Sequence, residues 1–211
     1  MNNGVKHIIF DLGGVLLNID LNRISAGFGS IMNLNEEQVR LIKFDIVPKY
    51  EIGAIGTSEF LASLSAYLKP GFTEKDIISI WNSIIKDLPH ERLTMLKQLR
   101  LHYKVHLLSN INDLHAGYFE DNFRTAFNTD PRTYFDLYFY SHVIGRRKPD
   151  TGTYTWVLDQ LQCEPEDVVF IDDMPENIEG ARNTGIQAYQ LMNQKMDVIQ
   201  LMTELNYISH K

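Results

Sequence analysis

Four short segments of this 211-residue chain hold side chains that could do chemistry together. The first, FDLGGVLLN (Phe10 to Asn18), sets Asp11 at the carboxyl end of an apolar run, where open α/β sheets bind ligands. Gly13 and Gly14 follow it and leave the backbone free to turn sharply and to approach a ligand closely. The second, LLSN, offers Ser109 and Asn110, a hydroxyl and an amide that can donate to a phosphate oxygen. In the third, GRRKPD, Lys148 precedes a proline that biases it to extended geometry, so its ammonium could be positioned against phosphate or carboxylate charge. The fourth, VVFIDDMPENIEGA (Val168 to Ala181), carries the adjacent acids Asp172 and Asp173, which repel each other unless a cation compensates them. Mg²⁺ suits such a pair, since it takes oxygen ligands and commonly only one or two carboxylates beside phosphate and water. Each segment alone also has a plainer reading: a turn aspartate, loop-capping polar residues, a solvated basic loop, an acidic helix start. Together they supply a nucleophile, a hydroxyl clamp, a cation and metal ligands. A carboxylate attacking phosphorus would form an acyl phosphate and divide one difficult displacement into two easier ones.

The elements that must position these groups follow from apolar runs and turn signals. Strands are predicted at Lys6 to Leu12, Lys104 to Ser109, around Leu137 to Val143, at Val168 to Asp172, and at Gln187 to Met192. Helices are predicted over Arg92 to His102, Tyr154 to Leu161 and Asn177 to Asn183. Strands alternating with helices imply an α/β, doubly wound, mainly parallel Rossmann-like sheet, with all four segments at strand ends. Residues 19–90 read as helices instead, with a capping-box pattern at Thr73 to Asp76 and Gly53, Gly56 and Pro70-Gly71 as breakers. This is far longer than a crossover needs. It is expected to form a small helical cap inserted after the first strand, leaving residues 1–18 and 91–211 as the core.

The order Asp-x-x-x-Val, strand-end Ser-Asn, Lys-Pro and Asp-Asp closely resembles the four motifs of the haloacid dehalogenase (HAD) superfamily, over essentially the whole chain. FDLGGVL, LLSNIND, RRKPD and FIDDMPENIEGA look most like the branch of small-capped sugar-phosphate phosphatases that includes the α-glucose-1-phosphate phosphatases. The resemblance implies a Mg²⁺-dependent phosphatase acting on a small phosphorylated metabolite. It implies Asp11 as nucleophile and metal ligand, the Gly13 carbonyl and Asp173 as further ligands, and Asp172 as a ligand directly or through water. Ser109 and Asn110 would bind phosphate, Lys148 would orient Asp11 and offset charge, and Asn177 would hold the metal loop.

One position departs from the pattern. Most phosphatases of the superfamily read Asp-x-Asp, and the second Asp protonates the leaving oxygen and then activates water; here it is Gly13. Help of that kind is worth ~10² to 10⁴ in rate. Either the leaving hydroxyl is unusually acidic, as in a sugar 1-phosphate, or Asp20, Glu51 or His115 substitutes, or the protein mainly binds a phosphorylated ligand as a regulator. A 2-haloacid dehalogenase is a further alternative, because a halide leaves without protonation and those enzymes also lack the second Asp. They are metal-free as a class, so retention of Asp172 and Asp173 favours phosphoryl transfer.

Composition narrows the partners. Twenty Lys and Arg against 27 Asp and Glu give a net charge of −7, which disfavours nucleic acid, and residues 19–90 hold no basic excess. One cysteine, Cys163, excludes an intrachain disulfide, and a polar start with no apolar run long enough for a membrane span makes the cytoplasm the expected location. Oligomeric state leaves no mark on the sequence. His7, His102, His106 and His142 lack metal-ligand spacing and are read as structure, as are the aromatic run Thr133 to Tyr140 and Trp81. No Gly-x4-Gly-Lys-Ser/Thr loop exists.

Overall fold

Five strands pair in parallel in the computed structural model, which describes residues 4–192 and 195–209. They are β1 (His7–Phe10), β2 (Lys104–Ser109), β3 (Leu137–Tyr140), β4 (Val168–Asp172) and β5 (Gln187–Gln190), in the order β3-β2-β1-β4-β5. This is the doubly wound order, in which the winding reverses between β1 and β4, and ligands of open α/β sheets bind beyond the carboxyl ends of the strands at such a reversal. Register aligns those ends: Phe10 pairs with Leu107 and with Ile171, so Asp11, Ser109 and Asp172 emerge on one edge.

Between β1 and β2 run α1 (Asn22–Ile31), α2 (Glu36–Leu41), a π-helical turn at Ile42–Ile46, α3 (Val47–Glu51), α4 (Thr57–Ser65), α5 (Glu74–Asn82) and α6 (His90–Leu99). Then α7 (Asp113–Phe127) leads through a 3-10 turn at Pro131–Tyr134 to β3. Next, α8 (Ser141–Ile144) and α9 (Thr151–Leu161) precede β4, α10 (Pro175–Arg182) links β4 to β5, and α11 (Val198–Glu204) closes the described chain. The pleat divides the strand side chains between two cores. Ile8, Phe10, Val105, Leu107, Val169 and Ile171 pack with α6, α7 and α11, whereas Ile9, Leu108, Phe139 and Phe170 pack with α9 and α10. A third cluster, including Phe28, Tyr50, Phe60, Ile77 and Trp81, is built from the helices between β1 and α6.

The structure trims three expected strands. β1 stops at Phe10 because the Leu12 carbonyl accepts from Leu16 and Leu17 N–H at 2.9 and 2.8 Å, which folds the next residues into a loop. β5 ends at Gln190, and β3 ends at Tyr140 because Ser141 to Ile144 coil into α8 although the apolar run continues. β2 and β4 have the expected bounds. Helix α7 was not anticipated; Asn112 caps it by accepting from His115 N–H, and it buries Ala116, Phe119 and Phe123 at helical spacing. Thr73 N–H and Oγ both donate to Asp76 at the start of α5, as the capping pattern there implies. Among the described residues no helix is long and apolar enough to cross a membrane.

Candidate active site

Asp11 is fixed at the winding reversal by its own N–H, which donates to Ile171 O at 2.9 Å and so ties the residue after β1 to β4. Directly beyond it Gly14 takes a φ of +80°, a left-handed conformation that a residue with Cβ adopts only under strain. Lys148 reaches the same point from the loop between α8 and α9. Its side chain is 1% exposed, with Nζ 2.7 Å from Asp11 Oδ1 and 2.6 Å from Asp172 Oδ2. Asn110 holds that loop: its Nδ2 donates to Lys148 O and its Oδ1 accepts from Lys148 N–H, both at 2.9 Å. The carboxamide expected to donate to phosphate is therefore engaged with the Lys148 backbone, and its structural contribution is to position the lysine. Ser109, at the end of β2, is buried and lines the same cavity as Asp11.

The two adjacent acids are held differently. Asp172 is fully buried, with Oδ1 accepting from Met174 N–H at 2.8 Å and Asn177 Nδ2 at 2.9 Å, and Oδ2 from Asn177 Nδ2 at 3.0 Å besides Lys148. Asn177 is itself steadied by Tyr154, whose hydroxyl donates to its carbonyl at 2.7 Å. Asp173 is half-buried and lines the cavity; its carbonyl accepts from Gln190 Nε2 at 3.0 Å, while its carboxylate bonds to no other side chain among the described residues.

Crowding of charge marks the site electrostatically. Burial, opposed by Lys148 and reinforced by Asp172, pushes the Asp11 carboxyl up to about 7. Burial and then Asp172 push Asp173 up to about 6. Burial alone would lower Lys148, but the carboxylates of Asp11 and Asp172 outweigh it and hold its ammonium above the ordinary value. One oxygen from each of Asp11, Asp172 and Asp173 lies within 4.8 Å of the others, with a single buried ammonium between two of them. That donor set fits a hard divalent cation, and the surplus negative charge supplies the reason to bind one.

A cavity of about 330 Å³ is lined by Asp11, Lys148 and Asp173 and also by Ile24, Val47, Glu51 and Trp81 from the segment between β1 and α6. Of the three acids weighed as substitutes at Gly13, the structure separates the positions. His115 lines the cavity, but Asn112 Nδ2 lies 3.1 Å from its Nδ1, its Nε2 lies 2.8 Å from Trp81 O, and burial drops it to about 4. Asp20 lines a neighbouring cavity and accepts from Asn22 N–H at 3.2 Å. Glu51 lines the cavity over Asp11 itself. Arg147, read from sequence as part of a solvated loop, instead lies with Nη2 2.9 Å from Glu51 Oε2, a partnership across 96 positions that no local pattern announces. Trp81 packs between helices as expected, 4.9 Å centroid to centroid from His115, and lines the cavity as well.

Residues 5–185 match the family described as haloacid dehalogenase-like hydrolase. A HAD family enzyme from Bacteroides thetaiotaomicron, solved with magnesium and inorganic phosphate, superposes with a TM-score of 0.85 at 30% identity, covering 94% of this chain and 99% of that one. D-ribitol-5-phosphate phosphatase from the same organism is 24% identical over 192 residues, 90% of this chain and 93% of the relative. A phosphorylated carbohydrates phosphatase from Thermotoga maritima is 24% identical over 200 residues, 87% of this chain and 83% of the relative.

Proposed function

This chain belongs to the haloacid dehalogenase-like hydrolases, and from that membership we propose that it is a Mg²⁺-dependent phosphatase of small phosphorylated metabolites, sugar or polyol phosphates in the first place. The observation that carries the reading is the convergence of Asp11, Lys148, Asp172 and Asp173 at the reversal between β1 and β4.

Asp11 is the nucleophile: one carboxylate oxygen attacks phosphorus, the bond to the substrate's alcohol oxygen breaks, and an aspartyl phosphate forms that water then hydrolyses. Lys148 holds Asp11 Oδ1 at 2.7 Å, which fixes the carboxylate and offsets part of the charge brought together when an anion attacks an anion. Ser109 donates to the phosphoryl oxygens, and Asn110 serves through its hold on Lys148. Asp11, Asp173 and the Gly13 carbonyl would hold the cation, with Asp172 adjoining through its bonds to Lys148 and Asn177. When bound, the metal supplies charge neutralisation for the transferring phosphoryl group.

The helices of residues 19–90 serve as the cap over the cavity, on the core of residues 1–18 and 91–211. Their hydrophobic cluster supports this, as does the placement of Glu51 and Trp81 in the cavity wall. A small-metabolite substrate and a lone Cys163 support a cytoplasmic location. Dehalogenation has no use for three converging carboxylates, so phosphoryl transfer is the better reading. The test is hydrolysis of 4-nitrophenyl phosphate by the purified protein with Mg²⁺ and with EDTA. Turnover with Mg²⁺ alone, lost in Asp11→Asn, is expected; turnover indifferent to EDTA would overturn the proposal.

A further inference from the structure

The structure leaves the proton supply for the departing alcohol to be assigned. A Cβ at Gly13 would meet Ile19 Cδ1 and Cγ2 at 3.5 and 3.6 Å, so the space an acid there would enter is faced by an apolar side chain. The titratable groups that line the cavity over Asp11 are Asp11, Glu51, His115, Lys148 and Asp173. Asp11 is the nucleophile, Lys148 is held between two carboxylates, Asp173 belongs to the acidic cluster, and both ring nitrogens of His115 are engaged. Glu51 is what is left.

Its placement is built rather than incidental. Glu51 ends α3, and its carbonyl accepts from the Ser141 hydroxyl at the start of α8. Two residues on, Gly53 has a φ of +69°, and a Cβ there would lie 2.4 Å from His142 O, so only glycine lets the chain approach α8 this closely. The Glu51 side chain is 19% exposed, and its Oε2 is buried, beside Arg147 but without hydrogen-bond geometry to it. With Oε2 buried against Arg147, the carboxyl lines the cavity that also holds the nucleophile, and its other oxygen, bonded to no group among the described residues, is available to a substrate hydroxyl or to water.

We propose that Glu51 is the general acid and base of the reaction, giving its proton to the alcohol oxygen and taking one back from water. The proposal rests on the phosphatase reading. In the first step the Asp11 oxygen bonds to phosphorus, the bond from phosphorus to the alcohol oxygen breaks, and the Glu51 proton passes to that oxygen. In the second, water attacks phosphorus, its proton passes to the Glu51 carboxylate, and the bond to Asp11 breaks to release inorganic phosphate. The charged groups facing Glu51 suit both halves. Burial holds its carboxyl above the ordinary range, favouring the acid form, while Arg147 and then Lys148 oppose that shift and stabilise the anion left behind. His142 on α8 is turned to the Ile111 carbonyl at 2.7 Å, and Asp11 and Asp173 share the cavity wall.

The experiment compares phenyl phosphate with 4-nitrophenyl phosphate, which differ little in shape but greatly in their need for leaving-group protonation. With Mg²⁺ present, Glu51→Gln is expected to lower kcat/KM, which reports transfer to Asp11 and not the later hydrolysis shared by both esters, by ~10²-fold on phenyl phosphate and by less than about tenfold on 4-nitrophenyl phosphate, with Glu51→Asp recovering part of the loss. Equal losses in kcat/KM on the two esters, or a change confined to KM, would overturn the proposal in favour of a structural or binding role. If Glu51→Gln does not fold, the wild type decides. A shallow dependence of kcat/KM on leaving-group acidity across substituted phenyl phosphates supports protonation, and a steep one rejects it. Wild-type protein inert on both esters with Mg²⁺ would instead overturn the phosphatase reading itself.

Discussion

Lys148 Nζ sits 2.6 Å from Asp172 Oδ2, two fully buried groups brought together from the loop before α9 and the end of β4. Because Nζ is also 2.7 Å from Asp11 Oδ1, one ammonium is shared between two desolvated carboxylates. Removing one member of a buried ion pair leaves the other charge uncompensated, which costs far more than the pair contributes.

Lys148→Met is therefore expected to abolish phosphatase activity and to lower stability by about 3–5 kcal/mol, a fall in Tm on the order of 10 °C for a chain of this size. Thermal unfolding in EDTA checks it. A Tm within a degree or two of wild type would show that the three side chains do not share charge as the geometry implies.

Mg²⁺ is expected to raise Tm, because an ion that binds only the folded state stabilises it by about 2.7 kcal/mol at one hundred times its Kd. Asp173→Asn should lose most of that increment while folding normally, since its carboxylate bonds to no other described side chain. Asp172→Asn should destabilise the protein with or without Mg²⁺, because its oxygens accept from Lys148, Met174 and Asn177. Titrating Tm against MgCl₂ for the three proteins separates ligand from support. An unchanged Mg²⁺ response in Asp173→Asn would remove that residue from the metal set.

Much of this site was legible because its parts lie where apolar runs end. β2 and β4 finish on Ser109 and Asp172, polar residues closing runs of Val, Ile, Leu and Phe, so period and punctuation agree. β3 was overrun for the opposite reason: Val143 and Ile144 continue the apolar composition after the backbone has turned into α8. The choice among Asp20, Glu51 and His115 was out of reach, since it depends on how α3 docks against α8 and how α7 turns His115 into Trp81. The use of the Asn110 carboxamide on Lys148 spans 38 positions and has no local signature.

Acid should weaken the fold at the opposite end of the sheet. His7 Nδ1 and His106 Nε2 are 3.0 Å apart, both are lowered by burial first, and His106 falls to about 4. A folded-state pKa below the unfolded value means that the unfolded chain binds the proton more tightly. Stability is then fully present above about 6.5 and is lost as pH falls toward about 4. For His106 the full loss is at most about 3 kcal/mol. The raised carboxyls of Asp11 and Asp173 work the other way, gaining stability as pH falls through the same window, so the useful quantity is a difference. The gap in unfolding free energy between wild type and His106→Gln should shift in favour of the variant from pH 7.5 to pH 4.5. A gap independent of pH would contradict the assignment.

Gly13 offers the converse of losing Glu51. Its φ lies outside the left-handed region, and a Cβ would make only ordinary contacts with Ile19 at 3.5 Å and beyond, so Gly13→Asp should fold. Gly14, at +80°, would not tolerate the same change. The new carboxylate joins a cluster already short of positive charge, so Gly13→Asp should be less stable than wild type in EDTA and regain part of the difference in Mg²⁺. In a Glu51→Gln background it would put an acid back beside the reacting oxygen from the core side. The double variant should then recover at least about tenfold of the phenyl phosphate activity lost by Glu51→Gln, within the range that general acid help supplies. Replacing Ile19 with Ala as well should increase the recovery by clearing the apolar face that Gly13 meets. A folded, Mg²⁺-responsive double variant with no recovery would mean that the proton deficit lies elsewhere than at the leaving oxygen.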